Sequence, residues 1–262
     1  MTTKNRRKYV NKWMIVIKAA VVAAFFAGAK IGLHFLELEF IQINSLISSL
    51  ISGVIFTLAI LLSGVMTDFK ESEKIPGELA ASIKSLHKDL ELLEFAAKKE
   101  TSSALLHLNT LISVIINQFE SNTWKQSQLG EIIEKIDDDI REMASKNMAP
   151  AYIIKMRNEL NNIERISNRI DTIEETNFLP SAYVLSQTAV ALVILTLLFA
   201  ILDSYVIGMF IIFTVTFLVT GILMLIHDMD NPFETLGKGS ADVDLSHIYK
   251  LDKYLKNHKE VE

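Results

Sequence analysis

The sequence predicts an all-α membrane protein in which four transmembrane helices, in two hairpins, flank a cytosolic helical bundle. Three observations carry that expectation. Half of the 262 residues are hydrophobic, only 22% are charged and the mean hydropathy is +0.30, a balance poorly suited to a water-soluble chain. The stretches Ile41 to Met66, Ser181 to Leu202 and Tyr205 to Ile226 contain no Asp, Glu, Lys or Arg, and each is longer than the ~20 helical residues that cross a ~30 Å hydrocarbon layer. Between the first of these and the other two lies a polar block whose apolar residues recur at helical spacing.

Trp13 to Leu36 is the first span. Lys18 and Lys30 lie near its two ends, where their long stems can reach the interfaces. Ala27-Gly28-Ala29 imitates a signal-peptide cleavage site, but Lys30 and the immediate return of apolar sequence suit an uncleaved helix better. Lys4, Arg6, Arg7, Lys8 and Lys12 precede the span without any acid, and Glu37-Leu38-Glu39 follows it. The excess of basic residues assigns the N-terminus to the cytosol. An even number of spans then puts both termini and the central block on the same side.

The expected organisation is a basic N-terminus and first hairpin over 1–66, a cytosolic bundle over 67–180, a second hairpin over 181–227 and a cytosolic tail over 228–262. Within the bundle, Leu79, Ile83, Leu86, Leu90 and Leu93 form one amphipathic seam; Leu105, Leu108, Ile112, Ile115 and Phe119 form a second; Leu129, Ile132, Ile136, Ile140 and Met143 a third. A fourth follows Pro150, with Ile153, Met156, Leu160, Ile163, Ile166, Ile170 and Ile173 on one face. Breaks are expected at 121–127 and 146–150. Pro76 and Gly77 predict a kink or a restart just past the second span.

The absence of cysteine excludes disulfides and thiolate metal sites. No Walker loop, dinucleotide fingerprint, HExxH pair or nucleophile elbow occurs, so an enzyme is not expected. The six histidines are scattered singly, and His87 and His107 read as helix-surface or interface residues. The one dense basic cluster adjoins a span, which makes anionic lipid headgroups, not nucleic acid, its partner.

Several polar features exceed what a simple anchor requires. Ser45, Ser49, Ser52, Phe56, Ile60 and Ser63 lie along one stripe of the second span. Small hydroxyls of this kind allow close helix packing. They also suit a helix lining an aqueous pathway, with Phe56 and Ile60 as an apolar constriction. Lys30 and His34 fall one turn apart, either reaching toward Glu37, Glu39 or lipid, or forming a basic collar that enriches anions at an entrance. Asp228, Asp230 and Asn231, just past the fourth span, form a candidate site for a hard cation such as Ca²⁺, although helix termination before Pro232 accounts for the same residues.

In these residues the chain resembles the bestrophin family of ion channels and, more closely, the prokaryotic bestrophin-like domain family. The likeness rests on the two-plus-two topology and on Glu71, Lys74, Gly77 and Leu79 after the second span. It rests most on Asp230-Asn231-Pro232-Phe233 followed by Ala241-Asp242-Val243-Asp244-Leu245-Ser246-His247-Ile248. The sequence departs from the family at Pro76, at Glu234 and at Val243-Asp244.

The resemblance implies a homo-oligomer, a pentamer, around a pore lined by the second span, with Ser52, Phe56 and Ile60 at its neck and Ser45, Ser49 and Ser63 along its wall. Animal members hold Ca²⁺ partly through an acidic run after Asn-Pro-Phe; Thr235-Leu236-Gly237-Lys238 stands there instead, and no cofactor is expected. The expected function is passive conduction of small ions across a prokaryotic inner membrane, with anions guessed from Lys30, His34 and the hydroxyls. The alternative is a non-conducting, membrane-anchored interaction or sensor protein acting through its cytosolic bundle. The two differ in where Ser52 and Phe56 lie: an anchor buries them between helices of one subunit.

Overall fold

A computed structural model describes residues 3–97, 100–146, 148–175, 180–202, 204–230, 232–233 and 242–259. The helices are α1 (Thr3–Phe35), α2 (Ser45–Ser72), α3 (Ile75–Ala97), α4 (Ser102–Ser121), α5 (Gln126–Ser145), α6 (Pro150–Glu175), α7 (Pro180–Leu198), α8 (Tyr205–Asp230) and α9 (Ser246–Lys259). Two-residue strands β1 (Ile41–Gln42) and β2 (Ala200–Ile201) pair in parallel. The protein is an all-α membrane protein, with helices long and apolar enough to cross a membrane at each of the four expected places. The breaks at 121–127 and 146–150 fall where the sequence puts them.

The chain divides into two compact units. One holds α1, α2 as far as Phe69, α7 and α8. Here α1 packs along α8. The fit is made by small residues: Ala19 and Ala23 are fully buried, and a Cβ added at Gly221 would sit 3.8 Å from Ala19. Without a hydrophobic driving force between helices in lipid, such close backbone approach supplies the packing energy. The partner of α1 is thus the last span, whereas the hairpin pattern pointed to its sequence neighbour. Among the described residues, α2 is not laid closely along any other helix. It adds one seam to the apolar cluster of Val190, Val193, Ile194 and Leu197 from α7 with Ile212 and Val219 from α8.

The second unit holds α3 to α6 and α9. Every position of the α3 seam is buried, as are Leu108, Ile112, Ile115 and Phe119 of α4, the whole α5 seam, and Met156 to Ile170 of α6. Each such side chain contributes about 1.5–3 kcal/mol. Polar cross-links fix the register: Lys155 pairs with the buried Asp89 at 2.6 Å, and Ser85 donates to Glu159 at 3.0 Å. Helix α2 ends at Ser72, and α3 restarts with Pro76 in its first turn, where a missing N–H costs nothing. Helix α9 packs on α3 and α4 through Ile248, Leu251 and Leu255, with Lys84 Nζ 4.6 Å over the Tyr254 ring. The sequence reading left this tail as a separate segment.

Candidate pore-lining helix

Asn44 starts α2. Its side-chain oxygen accepts from the Ile47 N–H at 3.0 Å and its carbonyl from the Ser48 N–H at 3.1 Å, which satisfies donors that a helix N-terminus leaves open. The following Leu and Ile residues sustain an uninterrupted apolar helix, and Ile51, Val54, Leu58, Leu61 and Val65 form the seam that faces the rest of the unit. Leu58 and Val65 are 1% and 2% exposed.

At about 100° per residue, the stripe Ser45, Ser49, Ser52, Phe56, Ile60 and Ser63 lies opposite this seam. All six are exposed, Phe56 to 67% and Ile60 to 57%. None is buried between helices of its own subunit. Ser49 donates its hydroxyl to the Ser45 carbonyl at 2.8 Å and Ser52 to that of Ser48 at 2.9 Å, so both hydroxyl protons stay within α2 and the oxygens keep their lone pairs to accept from elsewhere. Beside the stripe runs an open groove of about 530 Å³ lined by Leu46, Ser49, Leu50, Gly53, Val54 and Thr57. Ser49, Gly53 and Thr57 follow one another at four-residue steps, a signal present in the sequence and not used there. Chemically, the stripe offers hydroxyl oxygens to whatever lies beside it, interrupted by two bulky apolar side chains, Phe56 and Ile60.

At one end of the unit, Lys30 is buried, its side chain 3% exposed. It pairs with Glu39 Oε1 at 2.7 Å and donates to the main-chain carbonyls of Leu198, at 3.0 Å, and Ala200. His34 Nδ1 meets the other carboxylate oxygen of Glu39 at 3.1 Å. Of the two arrangements open from the sequence, the reach toward Glu39 is the one adopted. The ammonium is neutralised inside the subunit, so Lys30 is not a free collar charge. The main-chain carbonyls at the end of α7 had no signature in the sequence, because any residue supplies them. The carboxyl of Glu39 is held below the usual carboxylate range by its hydrogen bond to Lys30, against the opposing effect of burial, with His34 assisting.

At the other end of the unit, α8 closes with Asp228 and Asp230, and His227 sets its ring 5.6 Å from that of Tyr183. Asn231 lies outside the described residues. Among those described, no group of three or more His, Asp or Glu side chains could hold a metal ion. His87, read as a surface or interface residue, is buried with its ring 6.3 Å from Tyr254, and His107 meets Asp139 at 2.7 Å.

No family model matches the sequence, and no curated protein sequence matches it. Solved structures do. The chain aligns with crystal structures of a bacterial bestrophin homologue from Klebsiella pneumoniae, in two point variants, at 14% identity and TM-scores of 0.75 and 0.74. These cover 93% and 92% of this chain, and 98% and 99% of that one. A structure described as a membrane protein aligns at 16% identity and a TM-score of 0.74, covering 92% of this chain and 98% of the other. This chain has the bestrophin fold. At such low identity the bestrophin likeness speaks for backbone architecture, and what α2 does must be argued from its own residues.

Proposed function

We propose that this chain is the subunit of a bestrophin-like channel, a homopentamer in a prokaryotic inner membrane with both termini in the cytosol, that passes small ions down their gradient. Ser45, Ser49 and Ser63 line the conduit, and Ser52, Phe56 and Ile60 form its neck. The observation that carries the reading is the two-sidedness of α2: one seam holds it in the subunit, and the opposite face, hydroxyl-bearing with an apolar ring, is left uncovered by that subunit. An anchor protein whose serines merely pack its own helices would bury that face. Lipid contact alone would not call for serines at Ser45, Ser49, Ser52 and Ser63. The case for anions weakens, since Lys30 is neutralised by Glu39 and the Ser49 and Ser52 hydroxyls donate inward. Reversal potentials in a salt gradient decide the permeant charge.

The test is current through purified protein in planar bilayers. Phe56→Ala removes the bulkiest part of the neck. A barrier lowered by about 0.7 kcal/mol raises the flux roughly threefold, and an increase of that order is expected. Silence of both wild type and variant across ions, pH and voltage would sink the reading, as would a stable monomer in detergent.

A further inference from the structure

We propose that the two connecting segments at the end of the spans away from the N-terminus, residues 35–44 and 199–202, form a wedge seated in the lipid leaflet and not a pair of loops standing in water. The surface it meets is the boundary between phospholipid headgroups and acyl chains. This holds for channel and anchor alike, since it needs only the spans.

The apolar part of α7, Ser181–Leu198, has 18 residues, a rise of about 27 Å against a ~30 Å hydrocarbon layer. The charge-free run goes on through Phe199, Ala200, Ile201 and Leu202, which complete the crossing outside helical geometry. Irregular backbone at that depth has no water to satisfy it and must be closed by the protein itself. Here it is closed. The N–H groups of Leu36, Glu37 and Leu38 turn back to the carbonyls of Gly32, His34 and Leu33, each at 3.1 Å. Those of Phe40 and Ile41 both donate to the Phe199 carbonyl, and β1 pairs with β2. The Lys30 ammonium takes the carbonyls of Leu198 and Ala200. A loop bathed in water would need none of these partners.

Charge is treated in the same way. The Glu39 carboxylate is drawn inward onto the buried Lys30 at 2.7 Å and onto His34 at 3.1 Å, so it presents no lone charge to the surroundings. What faces outward instead is apolar. Phe35 is 79% exposed and Phe40 69%, with Leu36 between them also exposed. Phe35 continues the exposed α1 stripe of Ile17, Val21 and Phe25, at about 100° per residue, on the side opposite the buried Ala19, Ala23 and Lys30. The apolar surface of the span therefore runs without a break onto the connecting segment. Glu37 is exposed as well. A carboxylate is costly in mid-layer, so the wedge stops at the headgroup boundary.

The chain contains no cysteine, so Leu36→Cys, Phe40→Cys and Phe25→Cys can each carry one nitroxide on the full chain, reconstituted in phosphatidylcholine and phosphatidylglycerol vesicles. Relaxation of the label by oxygen, which concentrates among acyl chains, is compared with relaxation by a water-soluble nickel chelate. Phe25→Cys, in mid-span, sets the value for lipid. The labels at Leu36→Cys and Phe40→Cys are expected to respond more to oxygen than to nickel, at a depth of about 5–10 Å inside the headgroup boundary. Should one of these two variants fail to fold, the other gives the same readout. Dominant relaxation by nickel at these positions puts the segments in water and overturns the wedge. Protection from both reagents, with spectral broadening between labels of neighbouring copies, assigns the surface to a second copy and overturns it equally.

Discussion

Helices α2 and α8 are near equals in hydropathy, 2.3 against 2.6 over their most apolar stretches, yet 22% of that stretch is buried in α8 and 6% in α2. The difference lies in what each turns toward the subunit. Helix α8 meets α1 at small residues, Gly221 against Ala19 and Gly208 beside the Lys30 stem, so two backbones close on each other. Helix α2 offers Ile and Leu to a shared cluster and keeps its serines on the far side. Hydropathy decides that a helix crosses a membrane; the placement of its small and hydroxyl residues decides what it faces once there.

The sharpest way to break this comparison sits within α2 itself. Leu58→Ala, on the seam at 1% exposure, should destabilise by about 2–5 kcal/mol through lost contacts and a cavity. Phe56→Ala, two residues away at 67% exposure, should stay within roughly 1 kcal/mol in the isolated subunit. Thermal unfolding of both variants checks it. Equal losses would mean that Phe56 is packed in a way a single subunit does not show.

The α1–α8 contact sharpens the other half. Ala23 is fully buried, so Ala23→Leu forces the backbones apart and should cost about 1–3 kcal/mol, with some further loss if the helices cannot separate. The same enlargement at the exposed Ser52 should cost the subunit little. A melting midpoint for Ala23→Leu at the wild-type value would contradict the close α1–α8 fit.

Much of this was legible in the sequence, for a common physical reason. Burial periodicity is a local property, so the seams Leu79 to Leu93 and Leu129 to Met143, and Met156 to Ile170 within the seam expected over Ile153 to Ile173, could be read before any coordinates, and Pro76 and Pro150 marked helix starts by their missing N–H. The stripe on α2 was visible in the same way. What stayed hidden depends on distant partners. Nothing local tells α1 to choose α8 over its neighbour, Lys30 to seek the carbonyls of Leu198 and Ala200, or α9 to lie on α3 and α4. For the cation candidate, Asp228 and Asp230 close α8 while Asn231 lies outside the described residues, so the expectation stands where the sequence put it.

The smallest expected effect concerns Glu174, near the end of α6 and outside the spans. Burial pushes its carboxyl above the usual range, and Asp171 on the same helix adds to the shift. A carboxyl whose folded value is raised binds its proton more tightly in the folded state, so it costs nothing in acid. The cost appears as pH rises above the unfolded value and grows until the folded value is passed. Glu174→Gln keeps the shape and removes the charge. It should raise the melting midpoint slightly at pH 7, by about 1–2 °C, and leave it unchanged near pH 4. A gain of equal size at both values would assign the effect to something other than the buried charge.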